Sequence, residues 1–172
     1  MNRRQVILCL SMAVCAGAQS EPQWKAGVAK VKITPTESIW MAGYAARTKP
    51  SEGVQTELYL KALALDDGSG RPAVLVTSDL VGLRRQVADR IVERSEKQFG
   101  LTRDHLIINS SHTHSGPVTG EFNPRGGYEG QKAVVGRYTD TLVDKAVETI
   151  GIALKQMSSA RLEFAQGLRG SR

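Results

Sequence analysis

The chain has 172 residues, enough for one hydrophobic core and too few for two ordinary domains. Apolar residues make up 41% and charged residues 23%, which excludes a disordered chain, and no apolar run reaches the roughly 20 residues that a membrane-spanning helix needs. Lys and Arg outnumber Asp and Glu by 23 to 17, for a net charge of +6, but they are spread along the chain, which argues against a nucleic-acid-binding stripe.

Arg3 and Arg4 precede a short apolar run, Val6 to Ala18, that ends in the small residues Ala16-Gly17-Ala18. This pattern predicts a signal peptide over residues 1–18, cut near Gln19, and hence a secreted or periplasmic protein. A buried first helix or strand is the alternative. Lipidation at Cys15 is disfavoured, because Val14 is large for the residue before a lipidated Cys. Cleavage would remove Cys9 and Cys15, the only cysteines, so any metal site must be built from His, Asp, Glu or Tyr.

Ala26 to Ile33 reads as a first strand, stopped by Thr34-Pro35. The loop from Thr36 to Thr56 is long for a passive connection, and its Trp40, Met41 and Tyr44 argue for order. Glu57 to Leu65 is a second strand, Asp66-Asp67-Gly68-Ser69-Gly70 a turn, and Ala73 to Ser78 a third strand. A helix is predicted from about Leu83 to Phe99, with Val87, Ile91 and Val92 as its buried stripe and Gly100 as its stop. Leu106 to Asn109 is a short strand. Strand, helix and strand in this order form a βαβ unit, so strands 73–78 and 106–110 should be parallel. A second long loop, Ser110 to Gln131, leads into a helix from about Lys132 to Gln156, and Ala160 to Ala165 reads as a final strand. The expected fold is α/β, a mixed sheet with a βαβ unit and covering helices.

Two of the three histidines lie in Ser110-Ser111-His112-Thr113-His114-Ser115-Gly116-Pro117. In extended backbone, residues two apart share a face, so His112 and His114 are expected to enter one cavity as metal ligands or catalytic groups. Polar loop residues bonded to the backbone are the alternative. Ligands in parallel α/β sheets gather beyond the carboxyl ends of the strands, which brings Asp79 towards His112. Asp79 is therefore a candidate to bind metal or to accept a hydrogen bond from the distal nitrogen of a ligating His, as against a capping role before Gly82. No Gly-x-Ser-x-Gly nucleophile elbow is present.

Several blocks together carry a resemblance: Ala26 to Pro35, Met41-Ala42-Gly43-Tyr44, Ser51-Glu52-Gly53-Val54, Lys61 to Leu65, and Ser111 to Pro117. Over about residues 25 to 166 the chain resembles the N-terminal part of the neutral/alkaline non-lysosomal ceramidase family. The resemblance implies a secreted or membrane-associated zinc amidase that hydrolyses ceramide to sphingosine and a fatty acid. It implies that His112 is a zinc ligand and that His114 is an active-site imidazole touching the reacting amide. It also implies that Gly43, with Tyr44 beside it, belongs to the loop lining the substrate entrance. Gln55 stands where characterised ceramidases usually carry a His after the Gly-Val pair. The family's other zinc ligands, its active-site Arg and its Gly-Asp-x-Ser-Pro block have no match here.

Residues 25–172 are therefore expected to be the N-terminal part of a larger catalytic domain, inactive alone and prone to self-associate. His105 cannot complete the zinc site, because seven residues of extended chain put it about 20 Å from His112. The expected ligands are Zn2+ and a lipid or other N-acyl amide, with peripheral contact to a membrane surface as a further option. A pocket lined from Trp40 to Tyr44 should be partly apolar, since each buried methylene of an acyl chain is worth about 0.8 kcal/mol. Two other readings stand beside this one. One is a secreted, non-catalytic binding domain with a degenerate site. The other is a different His-x-His metallohydrolase, in which the motif usually leaves the first strand.

Overall fold

The computed structural model describes residues 24–120 and 129–167; the expected signal peptide, residues 1–18, lies outside them. Strand β1 (Lys25–Lys32), β2 (Tyr59–Asp66), β3 (Ala73–Ser78), β4 (Leu106–Ser110) and β5 (Ser158–Ser159) form one sheet in the order β4-β3-β2-β1-β5. Helices α1 (Arg85–Phe99) and α2 (Lys132–Lys155) cover one face. β1 pairs antiparallel with β5 and β2, and β2 antiparallel with β3, whereas β3 and β4 are parallel, with Ser78 opposite Ser110. The mixed α/β fold and its βαβ unit are those expected.

Local chemistry explains the turns. The Asp66 side chain accepts hydrogen bonds from the backbone N–H groups of Gly68 (2.7 Å) and Gly70 (3.2 Å), which satisfies a buried carboxylate and closes the β2–β3 hairpin. Gly100 takes a left-handed conformation and donates to the Glu96 carbonyl, ending α1.

The core lies between the sheet and the helices. Leu60, Ala62 and Ala64 of β2 and Val74 and Val76 of β3 meet Val87 and Ile91 of α1 and Leu142, Val143, Ala146 and Ile150 of α2. Small residues let α2 approach β1 and β2 closely. A Cβ added to Gly27 would lie 2.1 Å from the Ala153 carbonyl oxygen. The opposite face of the sheet carries a cross-strand row of Val28, Leu63, Leu75 and Ile107, in which Val28 and Ile107 are 64% and 60% exposed.

One element differs from expectation. Residues 160–165 are not a strand. Pairing stops at Ser158–Ser159 against Lys25 and Ala26, followed by one bond from Ala160 N–H to the Trp24 carbonyl. The alternation of Leu162 and Phe164 has no apolar surface to meet, and Phe164 is 91% exposed. Among the described residues no helix is long and apolar enough to cross a membrane.

Candidate active site at the carboxyl end of the parallel strands

β3 and β4 end side by side, and their exits continue as a pair of extended segments. Ser111 N–H donates to the Ser78 carbonyl (2.9 Å) and Thr113 N–H to the Leu80 carbonyl (3.2 Å). Between these two anchors His112 adopts φ +60°, the left-handed region that non-glycine residues seldom occupy and that often marks a functional constraint. The two imidazoles do come together, with centroids 5.3 Å apart and planes at 63°. They reach this arrangement through a left-handed kink rather than through the extended backbone expected from their spacing.

The His112 ring is oriented by Val81, whose carbonyl oxygen lies 2.7 Å from Nδ1. Asp79 does not play this part, which corrects the expected contact. Its Oδ2 accepts the Tyr59 N–H at 2.9 Å, and its own N–H donates to the Tyr59 carbonyl. The carboxylate thus extends the β2–β3 ladder by one rung, and it caps no helix either, since Arg84 precedes α1. The reason is proximity: an unpaired strand N–H lies beside the side chain, and satisfying it outranks a longer reach to the histidine loop.

His114 is half-buried against the 43–47 segment. A Cβ at Gly43 would lie 2.4 Å from His114 Cγ, and Gly43 has φ +102°, so contact and backbone both require glycine there. The Tyr44 ring meets the His114 ring edge-on at 4.9 Å and 81°. Arg47 Nη2 donates to the His114 carbonyl at 2.8 Å, its guanidinium lies 5.2 Å from the Tyr44 ring centroid, and its Nε is buried without a partner among the described residues. Segment 40–42 runs antiparallel to 116–118, with Ala42 N–H on the Gly116 carbonyl and Val118 N–H on the Trp40 carbonyl, and this tethers the two loops. Gly43 and Tyr44 were expected at a substrate entrance; the structure places both against His114.

A cavity of about 1130 Å³ opens on the other side of the histidine loop. Ser111, Thr113 and Ser115 line it with Asp79, Arg47 and residues of the 34–58 loop, whereas His112 and His114 do not. Its wall is mixed: hydroxyl and charged groups alternate with Ile39, Met41, Val54, Leu58 and Pro117, so it is partly apolar, as expected. Trp40 is absent from it because that side chain is core, packed with Ile39, Val118 and Val135. On this wall Glu57 is held below the usual carboxylate range by its hydrogen bonds from Thr34 and then Lys32.

His105 sits in a short 3-10 turn before β4, with Nδ1 3.0 Å from the Pro72 carbonyl oxygen, at the opposite end of β4 from His112. Among the described residues no group of three or more His, Cys, Asp or Glu side chains could hold a metal ion. The sequence carries no signal that marks Val81 or Arg47 for these contacts. A backbone carbonyl has no side-chain signature, and the destination of a loop arginine is set by tertiary pairing.

Residues 24–168 match the family described as neutral/alkaline non-lysosomal ceramidase, N-terminal. The chain is 30% identical over 133 residues to neutral ceramidase A of Dictyostelium discoideum, covering 74% of this chain and 18% of that protein. It is 29% identical over 99 residues to the neutral ceramidase of Drosophila melanogaster, covering 55% of this chain and 14% of that protein. The fold matches the crystal structure of neutral ceramidase from Pseudomonas aeruginosa with a TM-score of 0.65 at 23% identity, over 81% of this chain and 23% of that chain. It also matches a ceramidase complexed with C2, with a TM-score of 0.63 at 23% identity, over 80% of this chain and 22% of that chain. The chain therefore spans less than a quarter of the relatives it matches.

Proposed function

Because this chain belongs to the neutral/alkaline non-lysosomal ceramidase family, we propose that it forms the histidine-bearing part of an amide hydrolase acting on ceramide or a related N-acyl amine. The observation that carries the reading is the His112 ring on the Val81 carbonyl at 2.7 Å. A hydrogen bond there keeps the proton on Nδ1 and leaves the Nε2 lone pair free, the tautomer that a metal ligand needs. His112 is proposed as one ligand of a zinc centre. The described residues do not by themselves make a complete zinc centre, since no group of three or more His, Cys, Asp or Glu side chains that could hold a metal ion is found among them.

His114 lies beside that ligand and is proposed to donate a hydrogen bond to the amide oxygen as charge develops, or to pass a proton to the leaving amine. Asp79, at the end of β3, holds the first N–H of β2. The cavity beside the histidine loop offers both hydroxyl groups and apolar side chains, which suits an amphipathic N-acyl amine. Export, expected from Arg3, Arg4 and the Val6 to Ala18 run, belongs to the same proposal.

The test is a chimera in which residues 24–167 replace the matching segment of Dictyostelium neutral ceramidase A. Zinc-dependent cleavage of ceramide is expected, and His112→Ala and His114→Ala should each abolish it. A folded chimera that cleaves ceramide with both histidines replaced would sink the assignment. Should the chimera not fold, cobalt titration of the 172-residue chain provides a second measurement. Weak binding that selectively perturbs the His112 imidazole resonances is expected, and an unperturbed His112 ring would count against it.

A further inference from the structure

We propose that Arg47 is the positioning residue for His114. The inference rests on reading His114 as the active-site imidazole, but its geometry stands on its own. Arg47 reaches the imidazole by two routes at once. Nη2 holds the His114 carbonyl at 2.8 Å, and the guanidinium plane rests by Tyr44, whose ring edge meets the His114 ring at 4.9 Å. The turn that brings these groups together is closed by Arg47 N–H on the Tyr44 carbonyl at 3.4 Å.

The imidazole is thereby confined on separate sides. The Gly43 backbone lies against Cβ and Cγ, Tyr44 against one edge and His112 against another. A guanidinium suits this task where an ammonium would not, because its flat fork can lie near a ring and donate in-plane to a carbonyl.

The experiment follows the nuclear Overhauser contact between the Tyr44 and His114 rings in the full chain, at one fixed pH and without zinc. Arg47→Ala should lose that contact and move the His114 ring resonances. The resonances of His105, held at Pro72, should stay in place. Arg47→Lys, which can still donate to the carbonyl but cannot stack flat, should restore the contact in part. Retention of the ring contact in Arg47→Ala overturns the proposal. So does a loss accompanied by broadening of all amide signals from 40 to 48, which would make Arg47 a loop anchor only. If Arg47→Ala does not fold, Arg47→Gln, which keeps an N–H donor without the cation, is read by the same two signals. The measurement needs neither metal nor turnover, so its failure is separable from failure of the hydrolase reading.

Discussion

The Tyr138 hydroxyl donates to the Ile33 carbonyl at 2.8 Å, and burial pushes the phenol well above its ordinary pKa. An unfolded phenol ionises near pH ~10, whereas the folded one keeps its proton to higher pH. Above pH ~10 the folded state therefore binds more protons than the unfolded state, and stability falls as pH rises. Tyr138→Phe should cost about 1–2 kcal/mol near neutrality, by leaving the Ile33 carbonyl unpaired, and should flatten the alkaline decline. Urea titrations of both proteins on either side of pH ~10 check this, and an equal alkaline loss in both would acquit Tyr138. The same scale shows what the sequence conceals. The histidine pair was legible as a motif, but its orienting partner is the Val81 backbone, which has no residue type to read. The Asp79 hydrogen bond to Tyr59 was not legible, because strand adjacency fixes position and not where a carboxylate turns.

Gly27 and Gly136 show how one substitution changes sign with the element that receives it. A methyl at Gly27 would meet the Ala153 carbonyl oxygen at 2.1 Å and the Met157 nitrogen at 2.8 Å, both backbone atoms of the α2 terminus. Gly27→Ala should therefore push β1 and α2 apart and cost about 3 kcal/mol. Gly136 lies exposed in α2 with nothing near its absent Cβ, so Gly136→Ala should stabilise by up to about 1 kcal/mol through helix propensity. Thermal unfolding of the two variants against the parent checks both signs. Periodicity made the first four strands and both helices legible to within about two residues, the usual uncertainty at element ends. It failed at residues 160–165, where the pattern was present and the surface to bury it was not.

The sheet is covered on one face only by the described helices, and the row of Val28, Leu63, Leu75 and Ile107 crosses the other. The parallel β3–β4 pair was legible because a βαβ connection leaves few choices, whereas the place of β1 beside β2 was not. The apolar outer row was not, since alternation in a single strand does not show which cross-strand neighbours will align. The isolated chain should associate through this face. Val28→Thr with Ile107→Thr keeps β-branched side chains and removes its two most exposed apolar groups. Sedimentation velocity should show concentration-dependent association in the parent and less in the double variant. A parent that stays monomeric throughout would dismiss the face as a cause.

The close seating of α2 on β1 also sets a timetable. Lys145 Nζ donates to the Lys32 carbonyl across 113 residues of sequence, and Tyr138 reaches Ile33 across 105. On a ribosome adding about 5–20 residues per second, the helix that seals β1 trails it by roughly 5–23 seconds. During that interval the β1–β2–β3 meander can pair while the inner face that α2 will cover stays open to water, chaperones and other nascent chains. Slower translation between residues 33 and 138 would lengthen that exposure without altering a single contact of the finished fold.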